Sequence, residues 1–130
     1  MKTLSFFAVL FILFFQTGCK QSTEPTGPDM YVSFELENSY QNDSVRVMVD
    51  NTILADRRIT TNAVLSLAWS SGLQRLSRNN HVVRLSVPEY GVQKEYTLGT
   101  TNDTSTVLIG FSKETKVIEF RQMKGRIFRD

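Results

Sequence analysis

The sequence predicts an all-β domain, a single antiparallel β-sandwich of about seven to eight strands, over residues 30–130. Three observations predict it. Apolar and polar residues alternate with a period of two again and again after Met30, which marks half-buried strands. Turn signals recur every eight to fourteen residues, the spacing of a sandwich. No row of apolar residues at helical spacing runs long enough for a sustained helix.

The elements follow in order. Val32, Phe34 and Leu36 alternate with Ser33, Glu35 and Glu37 and predict the first strand. Asn38 to Asp43 is turn chemistry. Val45, Val47 and Val49 make the next row, and Asp50-Asn51 follows at once. Both residue types tolerate positive φ, so a tight hairpin into Ile53-Leu54 is expected. Asp56-Arg57-Arg58 is expected to break the pattern. Leu65, Leu67 and Trp69 resume it, and Ser70-Ser71-Gly72 is expected to end that strand. Leu73 and Leu76, three apart, suggest a helical turn or a wide loop. Val83, Leu85 and Val87 form another row, closed by Pro88-Glu89-Tyr90-Gly91, where proline presets one corner and glycine takes the left-handed one. Lys94 interrupts the row of Val92, Tyr96 and Leu98, as charge does on an edge strand. Thr100 to Thr104 is a polar loop. Val107, Ile109 and Phe111 answer Ile118 and Phe120 across a hairpin loop at Ser112 to Lys116, and Gly125 marks a bulge or bend before Ile127-Phe128. Two such sheets would bring their apolar rows together across one core.

A different segment precedes this domain. Lys2 is followed by an apolar run from Leu4 to Phe15 and then by Gln16-Thr17-Gly18-Cys19. Charge, apolar run and small residues, in that order, read as an export signal. The run is 12 residues, short of the roughly twenty that cross a bilayer. Thr17-Gly18-Cys19 resembles the lipobox of bacterial lipoproteins, with Gln16 where that family places a branched aliphatic residue. The resemblance implies cleavage between Gly18 and Cys19, diacylglycerol on the Cys19 thiol and an N-acyl chain on the new amino terminus. More than one acyl chain makes anchoring to a membrane stable. Lys20, where an aspartate would signal inner-membrane retention, implies the outer membrane. Lys20 to Asp29 carries two prolines, a glycine and several hydroxyl residues, the composition of a spacer. The expected organisation is therefore a signal peptide at 1–18, a lipidated Cys19 with a flexible linker at 19–29 and a sandwich domain at 30–130, on a bacterial cell envelope. No cofactor is expected beyond the covalent lipid.

Within the domain, Val45-Arg-Val-Met-Val-Asp50 and the stretch from His81 to Gly91 resemble immunoglobulin-like and PEGA-type extracytoplasmic modules, which show a Val-x-Val-Asp-Gly hairpin, with Asn51 here at the glycine's place, and a later Gly-x-His-x-Val-x-Val strand, with Gly72 here well before His81. The resemblance implies an immunoglobulin-like sandwich.

Composition narrows the function. Loss of residues 1–18 removes only Lys2, leaving 14 basic against 13 acidic residues, without the basic excess of a nucleic-acid binder. Cys19 is the sole cysteine, so neither an intramolecular disulfide nor a cysteine-based metal site can form. His81 is the sole histidine. The chain has no Gly-x-Ser-x-Gly and no second cysteine, so His81 is expected to bond a loop carbonyl rather than activate a nucleophile. Glu35 and Glu37 share one strand face at a spacing that glycoside hydrolysis could use, but on the polar side, where solvated acids are expected. Asp43, Asp50, Asp56 and Asp103 lie in or near loops; calcium takes such oxygens, and turns require the same residues.

For stacking on sugar rings the candidates are Tyr40, Tyr90 and Trp69. Trp69 falls on an apolar row and is expected in the core, whereas Tyr40 and Tyr90 fall in loops. Arg121, Lys124, Arg126 and Arg129, with Ile127 and Phe128 among them, suit anionic lipid or simply the solvated face of a last strand. The expected function is a non-catalytic interaction or assembly module on a lipid anchor, its partner an unidentified envelope protein or glycan and not nucleic acid. The alternatives are a carbohydrate-binding accessory lipoprotein and, after it, an envelope enzyme or enzyme inhibitor.

Overall fold

In a computed structural model, residues 28–37 and 39–127 are described. Gly18, Cys19, the spacer up to residue 27, Phe128 and Arg129 lie outside them. Eight strands form: β1 (Met30–Glu37), β2 (Asp43–Val49), β3 (Thr52–Ile59), β4 (Leu67–Leu76), β5 (Val82–Val87), β6 (Val92–Thr97), β7 (Thr104–Ser112) and β8 (Val117–Lys124). They make two four-stranded sheets, ordered β4-β1-β7-β8 and β3-β2-β5-β6, packed as a β-sandwich.

The core is built from the rows that alternate in the sequence. Val32, Phe34 and Leu36 of β1, Val45 and Val47 of β2, Val83, Leu85 and Val87 of β5, and Val107 and Ile109 of β7 are all fully buried. Each such side chain contributes roughly 1.5–3 kcal/mol relative to exposure. Because side chains alternate across a strand, one inward row commits the next residues to the outer face.

Four departures from the sequence expectation have physical causes. First, β1 and β7 run parallel, side by side in the middle of their sheet, while every other pairing is antiparallel. Six elements separate them in sequence, so no local signal encodes their pairing. Second, β3 continues through Asp56-Arg57-Arg58. It is an edge strand with a solvated outer face, and Arg46 binds Asp56 at 3.0 Å while Arg58 binds Glu89 at 2.7 Å. Third, Ser70-Ser71-Gly72 does not end β4. Gly72 takes φ +66° and the register to β1 shifts between Ser33 and Glu35, so this stretch is a bulge within one long edge strand, and Leu73 to Leu76 is strand rather than helical turn. Fourth, Glu35 is only 7% exposed. Its strand lies between two others, and its register neighbours Ser70 and Leu108 flank it in place of water.

The turns behave as their residues require. Asp50 takes φ +54° in a two-residue hairpin that brings Val49 opposite Thr52. Pro88–Tyr90 forms a 3₁₀ turn closed by left-handed Gly91. β6 is an edge strand, and Lys94 reaches across the sandwich to donate to the Ile118 carbonyl of β8 at 2.9 Å. On the same side Gln122 donates to the Gly99 carbonyl at 3.0 Å and accepts from the Gly99 N–H at 2.8 Å, and Tyr96 stacks on Phe120.

Strand direction sorts the connections. Turns 50–51, 77–81 and 98–103 lie at the near end, where the chain enters at Pro28. Loops 39–42, 60–66, 88–91 and 113–116 lie at the far end. Arg78 donates to the Pro28 and Thr100 carbonyls at 3.0 and 2.8 Å and pairs with Asp103, while Arg75 binds Asp29 at 2.6 Å. The direction in which the chain enters is thereby held.

Candidate functional site

The far-end loops are tightly cross-bonded. Tyr40 and Thr61 exchange main-chain and side-chain hydrogen bonds, with the Tyr40 N–H donating to Thr61 Oγ1 at 3.0 Å and the Thr61 N–H to the Tyr40 carbonyl at 2.9 Å. Lys113 reaches the buried Asp43 at 3.0 Å and so ties the β7–β8 loop to the start of β2. Ser39, Asn42, Ser66 and Lys116 take positive φ here, against only Asp50 at the near end among described non-glycine residues. Such conformations cost free energy and persist only where surrounding bonds hold them.

These loops border an open trough. Three depressions of about 520, 630 and 410 Å³ run into one another, sharing Ser39, Thr61, Ala63 and Ser112 at one junction and Gly110 and Glu119 at the other. From Ser112 to Leu108 its floor follows the outer face of β7 for about 13 Å. Ser39, Thr61, Ser66, Ser112 and Thr115 line it with hydroxyls. Val117 supplies apolar surface.

Gly110 is the bare point of that floor. It lies in the interior of β7, opposite Glu37 on one side and Glu119 on the other. Its backbone has no positive φ, and a Cβ there would meet nothing nearer than the Glu37 carbonyl at 4.0 Å. Neither conformation nor crowding therefore requires glycine. A glycine inside a strand weakens it and commonly marks close approach by a ligand or another backbone. Glu37 accepts from Arg121 at 3.4 Å, whereas Glu119 is exposed and has no hydrogen-bond partner among the described residues. The cations at the rim are already engaged: Arg121 by Glu37, Lys113 by Asp43 and Lys94 by the Ile118 carbonyl. Nothing in the periodicity pointed to Gly110 or Glu119. The one available signal was a glycine inside the apolar run Val107-Leu-Ile-Gly-Phe111.

The aromatic candidates do not form a platform. Tyr40 is 1% exposed, and its hydroxyl donates to the Ile109 carbonyl at 3.2 Å, so it offers no face to a sugar. Burial, with Asp43 and Glu37 nearby, drives its hydroxyl pKa far above the ordinary tyrosine value. The loop was read correctly but its side chain turns inward, against Phe111. Tyr90 is half-buried and packs on Phe111 from the other side, with ring centroids 5.3 Å apart. Trp69 is partly buried against the core on edge strand β4, opposite Leu36.

At the near end His81 meets a carboxylate and a hydroxyl. Nδ1 lies 2.7 Å from Asp50 Oδ2, and Nε2 lies 3.2 Å from Ser77 Oγ. The distances are those of a catalytic triad, but Nε2 also lies 2.8 Å from the Ser77 carbonyl. A carbonyl only accepts, so the Nε2 proton is directed to it, and the lone pair that would activate Ser77 has no room. Each ring nitrogen thus faces an oxygen, and the ring straps the β2–β3 turn to the β4–β5 loop. The His81 hydrogen bond, followed by the Val82 N–H, holds the Asp50 carboxyl below the usual carboxylate range.

The remaining acids are dispersed. Asp43, Asp50, Asp56 and Asp103 each face a different basic side chain, and among the described residues no three His, Cys, Asp or Glu side chains gather as a metal site. Of the C-terminal basic residues within the described chain, Arg121 pairs with Glu37. The chain matches no protein-family model, and no curated protein is similar to it.

Proposed function

We propose that this chain is an envelope-anchored lipoprotein whose β-sandwich is a non-catalytic interaction or assembly module. The observation that carries the reading is the trough over Gly110, a bare glycine that neither backbone strain nor packing demands. The anchoring half of the reading rests on Lys2, the apolar run and Thr17-Gly18-Cys19. With the chain entering at the near end, a lipid on Cys19 turns the far-end loops away from the membrane, towards other envelope components. Lys20 favours the outer membrane. The strap at His81 and the scattered carboxylates favour binding over catalysis.

Two measurements test the two halves. Mass spectrometry of the mature amino terminus is expected to find acyl chains on Cys19, and a free thiol there would remove the anchor. Matched pull-downs from envelope extract, with wild-type and Gly110→Val baits, are expected to differ, the variant losing what the wild type retains. Identical recoveries would remove the trough from the function.

A further inference from the structure

We propose that the trough accepts a hydroxyl-rich saccharide strand laid across Gly110, with Glu119 as its central hydrogen-bond acceptor. This deepens the interaction-module reading and rests on it. Main-chain pairing with a peptide is closed to the floor from Leu108 to Gly110, because β7 is already paired there on both sides, with β1 and with β8. Strand addition needs an open edge. Recognition at this place must therefore use side chains, and those present include hydroxyls, the carboxylates of Glu119 and Glu114, neither with a partner among the described residues, and a small apolar patch. Sugars present the matching chemistry: hydroxyls that donate to a carboxylate and exchange bonds with serine and threonine, and C–H faces that rest on apolar surface.

Charge narrows the class. The rim cations Arg121, Lys113 and Lys94 are each held by an oxygen of this chain. An anionic ligand would meet the carboxylates of Glu119 and Glu114, with Arg121 and Lys113 already paired with acids of this chain and Lys94 turned to the Ile118 carbonyl, so the strand is neutral or carries amino groups. Shape agrees. About 13 Å of floor between Ser112 and Leu108, extended by the far-end loops, suits a linear chain rather than a compact ligand. The cross-bonded loops hold the hydroxyls in place before binding, which lowers the ordering cost.

The test uses residues 20–130, whose core closes within Met30 to Ile118. Nitrogen-15 spectra are followed while cellohexaose or chitohexaose is added, with polygalacturonate as the anionic comparison. At least one neutral hexamer is expected to shift amides in 39–42, 61–66 and 110–119, and polygalacturonate to shift none. Gly110→Val is expected to weaken binding at least tenfold and Glu119→Gln several-fold. A Cβ at Gly110 meets nothing nearer than 4.0 Å and the Glu119 side chain has no hydrogen bond to lose among the described residues, so a melting temperature no lower than the wild type's is the control. Shifts confined to other surfaces, binding indifferent to Gly110→Val, or no response to either neutral hexamer would overturn the inference. Envelope capture that Gly110→Val abolishes but neither hexamer competes away would sink the saccharide strand and leave the interaction module standing.

Discussion

Three residues show how little a side chain's identity says before its neighbours are known. Tyr40 sits in a loop by every local rule, yet its ring fills the core and its hydroxyl donates to the Ile109 carbonyl. Removing that donor gives up a buried hydrogen bond, so Tyr40→Phe is expected to destabilise by about 1 kcal/mol, read by urea denaturation. His81 was legible as a strand-end histidine bonding a loop carbonyl; its contact with Asp50 was not, since 31 residues separate the two. The Asp50 carboxyl is more acidic folded than unfolded, so its ionised form stabilises the fold. That contribution is complete above about pH 4, the unfolded value, and disappears as pH falls through the lower folded value. Asp50→Asn is therefore expected to narrow its stability deficit against wild type as pH drops below about 4, a modest effect because the side chain is half exposed. A deficit that stays constant from pH 7 to pH 2.5 would contradict it. Glu35 was read as solvated and is buried, because the polar side of an amphipathic strand is wet only if its neighbours leave it so.

At the scale of the element, two glycines separate backbone need from open space. Gly72 makes the β4 bulge with positive φ and has room for a Cβ; Gly110 has ordinary strand geometry and room as well. Alanine at Gly72 is expected to cost roughly 1 kcal/mol through the left-handed backbone alone. Alanine at Gly110 is expected to stabilise by about 0.5 kcal/mol, since it narrows the unfolded ensemble without strain. Thermal denaturation of the pair checks the contrast, and a destabilising Gly110→Ala would show that packing, not a ligand, keeps the glycine. The strand rows were readable because period two survives any tertiary setting. The β4 bulge and the charged end of β3 were not, because a mid-strand Gly or Asp-Arg-Arg looks like a terminator until the pairing partner supplies the missing bonds.

For the whole molecule, the two faces of the sandwich differ. The outer face of β3-β2-β5-β6 is laced by the pairs Arg46–Asp56, Arg58–Glu89 and Arg84–Glu95. The outer face of β4-β1-β7-β8 carries the exposed Tyr31, Leu73 and Met123 and the trough over Gly110. Its two sides differ as well: Lys94 and Gln122 fasten β6 to β8, while a pocket of about 160 Å³ lined by Phe34, Leu54 and Leu76 remains between the sheets towards β3 and β4. Among the described residues the buried cluster draws on none before Met30. A chain beginning at Lys20 is accordingly expected to unfold in urea in one cooperative transition, with a midpoint within experimental error of the full mature protein. A shifted midpoint would mean that the anchor segment packs on the domain.

By itself the sequence determined most of the strand rows, the sandwich, the turns at Asp50-Asn51, Pro88–Gly91 and Ser112–Lys116 and the expectation of a lipid anchor, because alternation, turn chemistry and leader composition are local properties of the chain. Only the tertiary structure decided that β1 lies parallel to β7, that Tyr40 is core, that His81 is strapped between Asp50 and Ser77, and that Glu37, Gly110 and Glu119 form one row. The reason is distance along the chain: each of these depends on groups tens of residues apart, brought together by the burial of apolar rows and carrying no local mark of their partners.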